Sequence, residues 1–363
     1  MTITHAPAPA AEVSAALPTE APEHERVLIT RGPRSGLTII VAVHSTRLGQ
    51  ALGGARLWRY GHWTDALADA LRLSQAMTMK NAAAGLARGG GKSVICIPPG
   101  VALDERGRRD AMLDLGDAVE SLGGAYMTAE DVGTSAELMA IVAERTRHVC
   151  GLPPEQGGVG EPADATAAGV HASILATLDH VFGSSDPSGR HFVVAGLGQV
   201  GGRLARSLAA AGARLTVTDV ATAKRELAEE LGATWVEPGE AHLVEADVFV
   251  PCGLGGVLTH DVVDALRVRA VVGAANNQLA AREVAGRLTE RRIVWAPDFV
   301  VNAGGVIYLD VASAPDADQA ALDARIAGIG DTVASVLRAA EEHGTTALAA
   351  AERLARQRLE AAR

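Results

Sequence analysis

Aromatic residues make up only 3% of the 363-residue chain, so any core must be assembled mainly from Ala, Val, Leu and Ile. Cysteine is also scarce. Cys96, Cys150 and Cys252 are widely spaced and form no C-x-x-C pair. That argues against a disulfide framework or a structural zinc site and suits a reducing cytoplasm; no metal is expected. Basic residues are not in excess. The net charge of -10 is the wrong sign for neutralising phosphates, which argues against a nucleic-acid partner. No uninterrupted apolar run approaches the length that spans a membrane. The first two dozen residues, rich in Ala and Pro, lack the basic start and apolar stretch of a signal peptide. Residues 1–24 read as a disordered extension.

What is present describes a globular protein of two domains: 48% hydrophobic, 21% charged, and long enough for two cores. A β-like run covers Leu37–Val43, followed by turn-rich sequence through Gly53 and Gly54. Thr64 can cap a helix whose apolar positions (Ala66, Leu67, Ala70, Leu71, Leu73, Met77) recur at helical spacing and which ends near Lys80. A glycine-dense loop then leads to a buried-strand candidate, Ser93–Ile97. The Gly- and Pro-rich stretch 151–165 marks the inter-domain crossing, giving domains over 25–150 and 151–329. Beyond a helix at about 166–182, short apolar strands recur at His191–Ala195, Arg214–Thr218, Asp247–Val250, Ala270–Val272 and Ile293–Trp295, as a parallel doubly wound sheet requires. The chain from about Asp318 onward is helical and alanine-rich. It contains no internal repeat.

Gly196, Gly198 and Gly201 form G-x-G-x-x-G directly after an apolar strand and at the start of a helix. There, free backbone N–H groups and the helix dipole can hold a pyrophosphate. Asp219 ends the next strand, eighteen positions on. A carboxylate there accepts hydrogen bonds from the adenine-ribose hydroxyls and repels a 2′-phosphate, favouring NAD; Lys224 and Arg225 downstream keep NADP as an alternative. The bland alternative is a glycine turn that binds something else.

The segment from Lys80 to Lys92 brings two lysines around glycine-rich backbone, in a chain with very few lysines among 33 basic residues. It is not a P-loop: five residues lie between Gly85 and Gly91 where four are needed, and the segment precedes a strand. Two such lysines suit an amino-acid substrate. One stays charged and pairs with the α-carboxylate; the other, in a drier setting, releases its proton readily and serves acid–base chemistry. Solvated surface lysines are the competing explanation. Asp131, in Thr128–Thr134, follows the end of a strand and could relay protons, or could simply cap a helix.

Together these motifs resemble the leucine, valine and phenylalanine dehydrogenases of the glutamate dehydrogenase superfamily. The matching runs are Leu52-Gly53-Gly54-Ala-Arg56, Met77-Thr-Met-Lys80, Gly89-Gly-Gly-Lys92 and Ala129-Glu-Asp131-Val-Gly-Thr134. They continue with Gly196–Gly201, Pro251-Cys252-Gly253-Leu-Gly-Gly256, Gly273-Ala-Ala275-Asn276-Asn277-Gln-Leu279 and Pro297-Asp-Phe-Val-Val-Asn302-Ala-Gly-Gly-Val306. The resemblance runs from about residue 25 to the C-terminus. It implies an N-terminal α/β substrate-binding and catalytic domain and a Rossmann-like NAD-binding domain, with C-terminal helices of about 330–363 returning to the first. Closure of a cleft would assemble the site. The activity implied is NAD-dependent, reversible oxidative deamination of a hydrophobic L-amino acid to its 2-oxo acid and ammonia.

By the same resemblance Lys92 is the general acid–base with Asp131 as its proton partner, and Lys80 binds the substrate carboxylate. Gly53 and Asn277 also touch substrate. Gly196, Gly198, Gln199, Val200, Gly201, Asp219, Cys252, Gly253, Ala275, Asn276 and Asn302 hold the cofactor. The side-chain pocket is lined by Leu52, Ala129, Cys150, Val306 and Leu309, none of which could pair with a second carboxylate, so glutamate is disfavoured. Valine or leucine is the first choice of substrate. Phenylalanine is the alternative, because Ile307-Tyr308-Leu309 departs from the Ile-Asn-Val of leucine enzymes and Ile326–Thr332 looks like some phenylalanine enzymes. Asp310–Pro315 replaces the family's acidic stretch, and Val159 and Ala168 also depart. A homo-oligomer, dimer or octamer, is the expected assembly. Two other classes compete: a nicotinamide-binding protein that has lost catalysis, and a 2-hydroxy acid dehydrogenase, against which the scattered histidines argue.

Overall fold

The computed structural model describes residues 23–312 and 318–362. The expected N-terminal extension lies outside the described residues up to residue 22, as does the 313–315 part of the Asp310–Pro315 departure. Contacts divide the chain into two units. The first holds residues 23–46, Gln50–Met77 and Gly90–Val149; the second holds Arg47–Gly49, Thr78–Gly89 and 150–362.

The first unit carries strands β1 (Arg26–Arg31), β2 (Thr38–Ser45) and β3 (Ala51–Arg59), most of helix α1 (Trp63–Ala83), and strand β4 (Gly89–Ile97). Helix α2 (Glu105–Glu120), strand β5 (Tyr126–Glu130) and helix α3 (Ala136–Ala143) complete it. The strands form one sheet in the order β1-β2-β4-β3-β5, with β1 and β4 antiparallel to β2 and β3 parallel to β5. Ile40, Ala42, Val94 and Cys96 on one face pack against Ala66, Leu67 and Ala70 of α1. Helix α1 starts at Trp63, so Thr64 lies in its first turn rather than at its cap.

Two glycine-rich stretches differ from expectation. Gly53 and Gly54, read as turn, lie within β3, and Gly89–Gly91, read as loop, open β4. Glycine is a poor strand former, and here packing overrides that preference. A Cβ at Gly53 would stand 1.8 Å from the Gly91 carbonyl oxygen, and one at Gly91 would stand 2.5 Å from the Tyr126 ring. Backbone approaches too close for any side chain.

The second unit opens with α4 (Ala163–Phe182), followed by β6 (His191–Ala195), α5 (Gln199–Ala210), β7 (Arg214–Thr218), α6 (Arg225–Glu230) and β8 (Thr234–Trp235). Then come β9 (Val248–Pro251), α7 (His260–Ala265), β10 (Ala270–Val271), α8 (Val284–Glu290), β11 (Val294–Trp295), α9 (Asp298–Val301) and α10 (Gly304–Ala312). The sheet is parallel throughout, in the order β11-β10-β9-β6-β7-β8. The order reverses beside β6, so a crevice opens at the carboxyl ends of β6 and β9, where doubly wound sheets take their ligands.

Helices α11 (Gln319–Glu342) and α12 (Ala347–Ala361) close the chain. Both pack within the second unit. Helix α11 lies along α4, and Val333, Val336, Leu337, Ala350, Ala351 and Ala355 join Phe192, Val194 and Leu204 in the second unit's core. Small residues allow this close helix-on-helix contact: a Cβ at Gly330 would stand 2.9 Å from the Ala172 carbonyl oxygen. The early chain that α12 does meet belongs to the second unit. There the Arg358 guanidinium donates to the carbonyls of Ala82 (3.1 Å) and Ala83 (2.5 Å), satisfying the end of α1.

Candidate functional site

In the first unit, the strand pairing sets Lys92 opposite Ala42, two residues before Val94, so its side chain leaves the sheet on the face covered by α1. Lys92 is only 4% exposed. Its Nζ lies 2.9 Å from Oδ2 of Asp131, which follows β5 directly. The Asp131 backbone N–H donates to Thr134 Oγ1 at 2.8 Å, and that hydroxyl donates to the Ala55 carbonyl, fixing the turn on β3. A Cβ at Gly54 would fall 2.7 Å from Asp131 Cβ and 3.3 Å from Lys92 Nζ, so glycine leaves the room in which the pair meets.

Burial pushes the Lys92 amine below the ordinary lysine range, against the pull of Asp131, with nearby Arg56 adding to the depression. Burial also works on the Asp131 carboxyl, in the upward direction, but Lys92 and Arg56 outweigh it and hold the group ionised below its ordinary range. The result is a desolvated amine able to exist neutral beside a carboxylate that stays charged. Such a pair can take a proton from water and return it.

In the second unit, Lys80 lies in the last turn of α1 and its Nζ donates to Asn302 Oδ1 at 2.8 Å. Asn302 Nδ2 in turn donates to Asn276 Oδ1 at 2.8 Å and to the Ala274 carbonyl at 3.1 Å. The loop bearing Ala275, Asn276 and Asn277 is braced by the buried Gln278. That side chain donates to the carbonyls of Gly273 and Ala275 and accepts from Trp295 Nε1, while its backbone N–H donates to buried Asp298. Asn277 holds a left-handed backbone, φ 52°, a conformation that Asn adopts more readily than most residues. Lys80 and Lys92 thus fall in different units, each with its own partners.

The glycine motif sits at the carboxyl end of β6. Gly196 has φ 106°, closed to side chains, and its N–H donates to the Thr218 carbonyl. A Cβ on Gly201 would stand 1.9 Å from the Gly196 oxygen and 2.9 Å from Cys252 Cβ, so turn, helix and the end of β9 interlock. Gly198 differs: nothing lies within 4 Å of its would-be Cβ, and it caps α5 with no side-chain bond to the helix N–H groups. Backbone donors and open space at a helix N-terminus fit a pyrophosphate. Gln199 and Val200 form the first turn of that helix. Asp219 closes the turn, accepting from Leu197 N–H at 2.6 Å and Ala221 N–H at 2.8 Å. Burial raises the Cys252 thiol to about 11, so this cysteine packs the site as a neutral group, with Gly253 following it.

Of the five residues proposed for the side-chain pocket, Leu52 and Ala129 lie on paired strands β3 and β5 in the first unit. Cys150, Val306 and Leu309 lie in the second; all five are buried. Gly53 lies between Leu52 and Gly54, its carbonyl held by the Tyr126 hydroxyl at 2.7 Å. Among the described residues, no three His, Cys, Asp or Glu side chains are placed to hold a metal, and no helix is long and apolar enough to cross a membrane. Sequence reading missed Arg56, whose Nε lies 3.0 Å from Asp131 Oδ2, and Asp69, which receives Arg56 in turn. The motif containing Arg56 was visible; its partner on α1 was not.

Two family models match separate parts of the chain. The family model described as Glu/Leu/Phe/Val dehydrogenase, dimerisation domain, matches residues 24–148, and that of Glutamate/Leucine/Phenylalanine/Valine dehydrogenase matches 216–363. The leucine dehydrogenase of Thermoactinomyces intermedius is 39% identical over 341 residues, covering 93% of this chain and 91% of the relative. The valine dehydrogenase of Streptomyces virginiae is 42% identical over 345 residues, covering 94% and 95%. The crystal structure of L-tryptophan dehydrogenase from Nostoc punctiforme superposes with a TM-score of 0.80 at 34% identity, covering 93% of this chain and 96% of that one. On these matches the chain belongs to the glutamate, leucine, phenylalanine and valine dehydrogenase family and is an amino acid dehydrogenase of the class that uses a nicotinamide cofactor.

Proposed function

We propose that the chain catalyses the NAD-dependent, reversible oxidative deamination of a branched-chain L-amino acid, valine or leucine, to its 2-oxo acid and ammonia. The observation that carries this reading is the buried Lys92 amine on Asp131. The bound nicotinamide ring supplies the two-electron acceptor for the hydrogen that leaves the substrate Cα. The oxidised substrate is then a cationic iminium, which a neutral Lys92 does not repel. Lys92 takes a proton from water as its oxygen bonds to the iminium carbon, and Asp131 shares that proton. Returning it to the nitrogen, as the C–N bond breaks and the hydroxyl proton passes back to Lys92, forms the carbonyl of the 2-oxo acid and releases ammonia. Lys80 keeps its charge and pairs with the α-carboxylate, oriented by Asn302.

The acid at Asp219 supports NAD over NADP, since its carboxylate retains lone pairs for ribose hydroxyls beyond its two backbone bonds. The residues matched to the side-chain pocket, Leu52 and Ala129 in the first unit and Cys150, Val306 and Leu309 in the second, are all buried and uncharged, which supports a hydrophobic substrate, and relatives at 42% and 39% identity are valine and leucine dehydrogenases. An aromatic substrate is the second reading. It rests on Tyr308, whose hydroxyl donates to the Val159 carbonyl beside the proposed lining, and on the fold match to a tryptophan dehydrogenase. None of the three cysteines is disulfide-bonded, which suits the cytoplasm to which we assign the protein. The match to a dimerisation domain supports a homo-oligomer, dimer or octamer, to be sized by light scattering.

The deciding experiment assays a panel of L-amino acids with NAD and, separately, NADP. Valine or leucine with NAD should give the highest kcat/KM, and Lys92→Ala should abolish turnover while still binding NADH. Absence of NADH formation from every amino acid would leave a nicotinamide-binding protein without catalysis. Strong turnover by Lys92→Ala would remove that lysine from the mechanism.

A further inference from the structure

The geometry points to Arg56 as a positioning residue that holds Asp131 ionised whether or not Lys92 carries its proton. The inference rests on the reading of Lys92 as the acid–base.

Asp131 Oδ2 receives two cations at once, Lys92 Nζ at 2.9 Å and Arg56 Nε at 3.0 Å. Arg56 does not end there. Its Nη1 donates to Asp69 Oδ2 at 2.8 Å, the same oxygen accepts the Tyr60 hydroxyl at 2.7 Å, and Asp69 Oδ1 accepts from Arg72 at 2.8 Å. Charges alternate from Lys92 through Asp131, Arg56 and Asp69 to Arg72, drawn from β4, the turn after β5, β3 and α1. The three middle side chains are mostly buried, 23%, 20% and 16% exposed.

A lysine–aspartate pair alone would work against its own chemistry. Each time the lysine gave up its proton, the carboxylate would be left uncompensated in largely apolar surroundings, a costly state that favours holding the proton. Arg56 removes that obstacle. A guanidinium does not deprotonate, so Asp131 keeps a cationic partner on the same oxygen throughout the proton cycle. It also places a like charge near the lysine, which favours the neutral amine. Asp69 sets the balance from the other side: it fixes the guanidinium fork, and its own negative charge acts on Lys92 in the opposite sense. Glycine at position 54 leaves no side chain to separate these groups.

The test is the pH profile of kcat and kcat/KM for valine or leucine with NAD, in the wild type, Arg56→Gln, Arg56→Lys and Asp69→Asn. NADH binding and thermal unfolding serve as controls. Activity rises with pH as Lys92 becomes neutral. Removing the guanidinium should move this acidic limb upward by about one pH unit, about a tenfold loss of rate below the limb. Arg56→Lys, which keeps a cation, should restore most of the position. Asp69→Asn should move the limb downward. Purely structural damage would shift neither, or both the same way, and either pattern overturns the proposal. Should Arg56→Gln fail to fold, Asp69→Asn decides: an unmoved limb overturns it. If the wild-type limb persists in an active Lys92→Ala, the lysine reading fails instead, irrespective of what Arg56 does.

Discussion

Lys80 Nζ donates to Asn302 Oδ1 at 2.8 Å, although 222 residues of chain separate them, and Asn302 passes the connection to Asn276. One amide therefore orients both the proposed carboxylate-binding lysine and the loop proposed to meet the cofactor. Asn302→Ala should raise KM for the amino acid about tenfold, the worth of one hydrogen bond to a charged group, with a smaller effect on kcat. Asn302→Asp should do more harm: a carboxylate would pair with Lys80 and repel that of the substrate. Equal KM values for the two variants would show that Lys80 does not hold the substrate carboxylate.

The pairing of Lys92 with Asp131 gives a signed prediction. The carboxylate favours the protonated amine, while burial favours the neutral one and prevails. In Asp131→Asn only burial and Arg56 remain to act strongly on the lysine, so its pKa falls further. The acidic limb of kcat should move to lower pH, while the plateau falls about 10²- to 10⁴-fold because the proton partner is gone. A limb moving upward would contradict the assignment of that limb to Lys92.

Much of this was legible in the sequence for physical reasons. The strand, glycine turn and helix around Gly196 are local, so periodicity and turn chemistry define them. Lys92 stood out because two of the chain's very few lysines flank glycine-rich backbone, and Asp131 because it follows the end of a strand. The glycines at 53 and 54 misled because their strand is imposed by the Gly91 backbone, far along the chain. Asp69 was hidden since its partner on β3 is set by how α1 lies on the sheet, which no local pattern specifies. Gln278 was visible only as part of a motif. Its role, four bonds bracing one loop, is a product of burial.

Asp219 carries two backbone bonds in addition to its proposed ribose contact. Asp219→Ser should therefore do two things. Losing the charge should improve kcat/KM for NADP relative to NAD at least tenfold, about 1.4 kcal/mol of discrimination. Losing the acceptors for Leu197 and Ala221 should lower stability by about 1–2 kcal/mol, read by urea unfolding. Unchanged cofactor preference would move the ribose-binding role elsewhere.

Gly198 and Gly201 separate cofactor binding from folding. Space around Gly198 is empty of protein, and its φ of -66° suits any L-residue, so Gly198→Ala should leave the melting temperature unchanged. Its new methyl would instead occupy the space assigned to the pyrophosphate. The Kd for NADH, measured by fluorescence, should rise about tenfold or more, since displaced backbone can no longer approach phosphate. Gly201→Ala drives a methyl against the Gly196 carbonyl, fixed backbone that cannot yield cheaply, so it should lose both stability and NADH affinity. If Gly198→Ala bound NADH as tightly as the wild type, the dinucleotide would not lie over this turn, and the second unit would need another ligand.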